Sequence, residues 1–156
     1  MFERYTERAR RVLFFARYEA GQLGGRTIDA EHLLLGLLRD PGGLAAKILT
    51  RAHLSLENVR SDVEGRTVFH ERLSTSVEIP FSAESKRILE YAAEESGGLH
   101  HTHIGTEHLL LGLLREERSA AASILTDNGM QLQTVREDIV QWRLSEETDP
   151  DSPPDR

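Results

Sequence analysis

Glu31-His-Leu-Leu-Leu-Gly-Leu-Leu-Arg39 stands again, letter for letter, at Glu107 to Arg115. The two blocks are 76 positions apart (107 − 31), and the same offset aligns residues 5–63 with 81–139 without a gap, 25 of the 59 pairs being identical. Identity at that level, held in register, marks one structural unit written twice, and a unit written twice presents its surface features twice. Inside the block, Leu33-Leu34-Leu35-Gly36-Leu37-Leu38 is apolar on every side, the pattern of a helix buried all round. A glycine costs a helix interior about 1 kcal/mol relative to alanine. Gly36 and Gly112 therefore predict a neighbouring helix in close approach.

Working outward, each copy reads as four short helices. Thr6 and Ser82 are N-cap candidates for the first, because a hydroxyl accepts a backbone N–H bond there. Ala9, Val12, Leu13, Ala16, Ala20 and Leu23 then recur at helical spacing, echoed by Ser85, Ile88, Leu89, Ala92, Ser96 and Leu99. Gly24-Gly25 and Gly97-Gly98 are expected to end these helices. The repeated block is the second helix, Leu44–Arg51 and Ala120–Asp127 the third, Ser55–Val63 and Gln131–Gln141 the fourth. The expected fold is all-α: two tandem four-helix repeats forming a pseudo-twofold eight-helix bundle. Residues 1–64 form the first repeat, 65–79 an extended linker, 80–144 the second repeat, and 145–156 a disordered acidic tail.

Composition narrows the function. The 156 residues suffice for one compact domain or two small lobes. Zero cysteines exclude disulfides, thiolate zinc sites and cysteine nucleophiles. A net charge of −7 argues against nucleic acid, which needs a basic footprint. No apolar stretch approaches a membrane span and no signal region opens the chain, so a cytoplasmic monomer that avoids membranes is expected.

These features together resemble the N-terminal double-repeat domain of the Clp family of protein unfoldases, most closely that of ClpC. The resemblance is carried by Met1-Phe-Glu-Arg-Tyr-Thr-Glu-Arg-Ala-Arg-Arg-Val12, by Ile104-Gly-Thr-Glu-His-Leu-Leu-Leu-Gly-Leu-Leu-Arg115, by Pro41-Gly-Gly-Leu-Ala-Ala46 and by Ile79-Pro-Phe81; it covers roughly residues 1–142. It implies a protein-binding module of Clp-dependent proteolysis or chaperone systems that recognises substrates, adaptors or the unfoldase itself. The ATPase modules of that family need a G-x-x-x-x-G-K-[ST] loop, which neither Lys47 nor Lys86 follows. No nucleotide, other cofactor or metal is expected. The acidic, proline-containing end favours a free-standing protein.

The resemblance also assigns site residues. It implies that Glu31 and Glu107 hold the guanidinium of a phosphorylated arginine while groups at a nearby helix start take the phosphoryl. Thr6, Ser82 and Thr106 would supply hydroxyls. A carboxylate suits a guanidinium and helix-start amides suit phosphate. The plainer reading is an acid favoured by the helix dipole, worth about 0.3–1 kcal/mol. Repeat two keeps Gly105-Thr106 where repeat one has Asp29-Ala30, so Glu107 is expected to be the better receiver. Phe2 and Phe81 each stand just ahead of a first helix and are expected to staple onto its first turn. In similar domains such aromatics border a groove for adaptors and small ligands, here with Arg10, Lys86 and Glu90.

Two rivals come from the same residues. One is an accessory subunit that docks on the Clp protease core. The other is a small hydrolase built on His100, His101, His103 and His108. Those histidines follow no zinc template, and no serine sits in a G-x-S-x-G elbow, so no enzyme is expected. The repeated block yields a direct test. Leu34→Ala and Leu110→Ala should each cost about 2–5 kcal/mol in chemical denaturation, by similar amounts. A neutral result at either position would place the block on the surface.

Overall fold

In the computed structural model, which describes residues 2–66 and 71–147, eight helices follow one another. They are α1 (Glu7–Gln22), α2 (Ala30–Leu38), α3 (Leu44–Arg51), α4 (Leu56–Arg66), α5 (Ala83–Gly98), α6 (Thr106–Arg115), α7 (Ala120–Asp127) and α8 (Leu132–Glu147). Among the described residues there is no extended strand, and no helix is long and apolar enough to cross a membrane. The expected caps form: Thr6 Oγ1 accepts from Ala9 N–H at 3.1 Å and Ser82 Oγ from Ser85 N–H at 3.1 Å.

α2 and α6 lie at the centre and every one of their leucines is buried. Each packs chiefly on the first helix of its own repeat, α2 on α1 and α6 on α5. Glycine makes the approach possible. A Cβ at Gly36 would stand 2.6 Å from Val12 O, and one at Gly112 would stand 2.5 Å from Ile88 O, both backbone atoms that cannot swing aside.

The repeats interlock through short backbone pairings related by the 76-residue offset. Thr6 N–H donates to Ile104 O (3.0 Å) and Ile104 N–H to Arg4 O (2.9 Å). Their counterparts are Ser82 N–H to Ile28 O (3.1 Å) and Ile28 N–H to Pro80 O (2.8 Å). The start of each first helix is thereby pinned beside the second helix of the other repeat. A further matched set ties three helices within each repeat. Glu19, on α1, takes Arg39 (2.9 Å) and Arg60 (2.8 Å); Glu95, on α5, takes Arg115 (3.2 Å) and Arg136 (2.8 Å).

Some boundaries move. Gly97 and Gly98 lie inside α5 and do not end it; the left-handed residue that follows is His100 (φ 62°), the counterpart of Gly24 (φ 70°). α4 runs on to Arg66, into the expected linker, and α8 to Glu147, so Ser145 to Glu147 are helical where a disordered tail was expected. Residues 71–79 of the expected linker are non-helical and pack on α1: Leu73 N–H donates to Gly21 O at 3.0 Å, and the Arg17 guanidinium holds the carbonyls of Thr75 and Val77. Residues 67–70 of the expected linker and 148–156 of the expected tail lie outside the described residues.

Close packing predicts an asymmetry between propensity and stability. Gly36→Ala and Gly112→Ala improve helix propensity, yet each should destabilise the protein by roughly 1–3 kcal/mol in urea titrations through overpacking. A stabilising effect at either site would show that the helices stand farther apart.

Candidate functional site

The second helix of each repeat begins against the first helix of the other, so both expected acid sites are built across the repeat junction. In repeat one, Asp29 precedes α2 and Thr27 Oγ1 donates to its Oδ1 at 2.8 Å. From repeat two, Glu84 Oε2 accepts the Ala30 N–H at 3.0 Å. Glu31 follows in the first turn of α2, 9% exposed, and among the described residues no cation pairs with it. Burial pushes its carboxyl above the usual range against its own backbone hydrogen bond, and the charges of Asp29 and Glu84 push the same way. Repeat one therefore presents three carboxylates around one helix start.

Repeat two uses the same backbone differently. Glu107 is 0% exposed. Its Oε2 accepts from Arg143 Nη2 at 3.0 Å, and the same nitrogen stands 2.8 Å from His103 Nε2. Glu107 Oε1 and Arg143 Nε are buried without a partner. The residue before α6 is Gly105, where a Cβ would collide with the Glu107 carboxylate. Asp29 has that Cβ, so Glu31 cannot fold back in the same way. Thr106 is also committed: its Oγ1 accepts the Ala45 N–H at 3.2 Å, capping α3 of the other repeat. Both residues that favoured repeat two as receiver are thus engaged within the chain.

The histidines divide. His32 and His108 occupy matched positions, and each ring accepts the N–H of the residue capping its helix: Asp29 N–H to His32 Nδ1 at 2.9 Å and Gly105 N–H to His108 Nδ1 at 2.8 Å. Burial lowers both; His108, with His101, Arg143 and His103 adding repulsion, falls to about 3. Its Nε2 meets His101 Nδ1 at 2.8 Å. These rings are helix-start fittings. Among the described residues no three His, Asp or Glu side chains come together to hold a metal ion.

The groove residues gather only in part. The Phe2 ring lies 6.4 Å from Phe81 and 5.0 Å from Tyr5, centroid to centroid, both edge-on. Arg10 holds the Phe2 carbonyl through Nε (3.3 Å) and Nη2 (3.2 Å). The two phenylalanines therefore meet at the junction, and the repeat counterpart of Phe81 is Tyr5 (81 − 76), not Phe2. Lys86 and Glu90 are exposed on α5.

With this geometry in hand, comparison with known proteins is decisive. The profile of the Clp repeat (R) N-terminal domain matches residues 4–128. The chain belongs to that family. It is 38% identical over 148 residues to the "negative regulator of genetic competence ClpC/MecB" of Bacillus subtilis, covering 95% of this chain but only 18% of that protein. The N-terminal domain of the ClpD chaperone from Arabidopsis thaliana superposes with a TM-score of 0.70 at 30% identity, covering 92% of this chain and 99% of that one. A ClpV N-domain solved in complex with a VipB peptide has the same fold, with a TM-score of 0.70 at 17% identity over 89% of this chain and 86% of that one.

Two residues of this Clp N-domain's sites, Glu84 and Arg143, carry no motif. Their one sequence signal is a change of charge across the repeats: Glu84 corresponds to Arg8, and Arg143 to Thr67. The unpaired acid makes a testable claim. A carboxyl whose folded pKa is raised costs stability once ionised, a cost absent below its unfolded pKa of about 4 and complete above the folded one. Glu31→Gln should therefore stabilise the chain at pH 7 in urea titrations, and the gain should vanish on acidification below that range. Equal stability at pH 7 would mean that the carboxylate is well solvated.

Proposed function

We propose that this Clp N-domain is a protein-recognition module that takes arginine side chains of protein segments at Glu31. The observation that carries the reading is Glu31 itself, a nine-tenths-buried residue that pairs with no cation among the described residues, its charge reinforced by Asp29 and Glu84. A guanidinium meets such a group with two parallel donors and loses little hydration. Membership of the family supports a protein partner, as does the peptide complex of the ClpV domain. Substrates, adaptors or a Clp unfoldase in the cytosol are the partners that fit. The half-buried pair of Phe2 and Phe81, with Arg10, Lys86 and Glu90 along the neighbouring helices, is the second surface we assign to partners.

The phosphorylated form of arginine suits repeat one poorly. The Ala30 N–H that would meet a phosphoryl oxygen is taken by Glu84, and Asp29 adds like charge. Thr6 and Ser82 each use a hydroxyl oxygen as a helix cap, accepting the Ala9 and Ser85 amides. We therefore assign plain arginine to Glu31.

Titration of an arginine-bearing peptide, followed by amide NMR shifts, tests this. Shifts should centre on residues 29–32 and Glu84, and Glu31→Gln should weaken binding by about one to two decades, the usual loss of a charged hydrogen-bond partner. Phosphoarginine in the same peptide should bind less well there. Binding should also fade as the pH drops through the raised Glu31 pKa, since a protonated carboxyl no longer attracts the cation. Silence around Glu31 at millimolar peptide would sink the reading.

A further inference from the structure

We propose that Arg143 is a built-in guanidinium occupying the repeat-two acid pocket, so that Glu107 is closed to arginine ligands and Glu31 is the one open receiver. The inference rests on the reading that these glutamates receive guanidinium groups, and it sets how many such sites the chain offers.

Five observations carry it. Glu107 is the repeat counterpart of Glu31 (107 − 76), yet it is fully buried and paired, whereas Glu31 pairs with no cation among the described residues. The paired cation is a guanidinium, the group an arginine ligand would bring, and it is anchored a second time on His103 at 2.8 Å. It is delivered by the last turns of α8, which continues six residues beyond Gln141 to Glu147. In the sequence, the 76-residue offset sets the uncharged Thr67, outside the described residues, against Arg143. Gly105 completes the difference, because its missing Cβ is the space into which the Glu107 carboxylate turns.

The energetics favour closure. Separating the pair would leave a sealed carboxylate without compensation, the expensive way to break a buried ion pair. An external arginine must also displace a group held on the same chain, whose effective concentration is at least on the order of millimolar. Peptides at micromolar concentration cannot compete. Glu107 Oε1 and Arg143 Nε, both buried without a partner, leave an acceptor and a donor unused beside the one bond the pair makes.

The test uses N-ethylguanidinium as the probe, up to about 10 mM at constant ionic strength, with amide NMR and melting temperature as readouts. In the unaltered chain, shifts should appear around Glu31 and not around Glu107. In Arg143→Ala, the probe should refill the pocket: shifts at residues 103–108 should saturate and the melting temperature should rise. Arg143→Ala combined with Glu107→Gln should show neither. Shifts at Glu107 as large in the unaltered chain as in Arg143→Ala would overturn the proposal, as would an unresponsive pocket in Arg143→Ala. An unaltered chain silent at Glu31 beside a refilled pocket in Arg143→Ala would overturn Glu31 as the open receiver, and with it the function assigned there, while supporting the closure of Glu107 by Arg143. Should Arg143→Ala not fold, side-chain NMR of the unaltered chain decides. The Arg143 Nε–H should exchange at least tenfold more slowly than that of the exposed Arg11, and equal exchange would refute the closure.

Discussion

Everything in this domain hangs on two glycines that let pairs of helices touch backbone to backbone. At Gly36 and Gly112 a single methyl group would press into a carbonyl oxygen of the facing helix. Because α2 and α6 come this close to α1 and α5, their leucines are enclosed on all sides and the helices can serve as the centre of the bundle. A central helix has its first turn held firmly, with backbone donors and acidic side chains at a fixed place against the other repeat. The candidate sites therefore stand at the rigid starts of buried helices and not on loops.

The pseudo-twofold relation is kept by different chemistry in the two halves. Two helix ends need a left-handed residue, and each time one repeat supplies glycine and the other histidine: Gly24 with His100, and Gly129 with His53. The start of the third helix needs a hydroxyl. Ser119 caps α7 from within, accepting the Ala122 N–H, whereas Gly43 cannot cap α3, and Thr106 reaches across from the other repeat to do so. Ala30, the counterpart of Thr106, has no such duty because Ser119 already performs it. Paired differences of this kind preserve the fold.

Other differences do not compensate. Asp29 against Gly105 and Glu84 against Arg8 leave one helix start crowded with acid, while Arg143 neutralises the other from inside. This is how a duplicated scaffold acquires two unequal binding positions without losing a common core.

The sequence by itself determined the duplication, the all-α class, the caps at Thr6 and Ser82, the extents of α3 and α7, and the close approach at the two glycines. These follow from local spacing and from the steric cost of a glycine inside a helix, quantities that neighbours along the chain already specify. It also contained, unread, the ion sets of Glu19 and Glu95, whose members are identical in both copies but lie 20 and 41 residues apart. Only the tertiary structure decided that Phe2 meets Phe81, that Glu84 takes the first amide of α2, that Thr106 caps a helix of the other repeat and that Arg143 pairs with Glu107. Each of these joins groups at least 36 residues apart, the shortest being Glu107 with Arg143. Whether a carboxylate is open or filled depends on which distant side chain the packing delivers to it, and no periodicity in the chain encodes that.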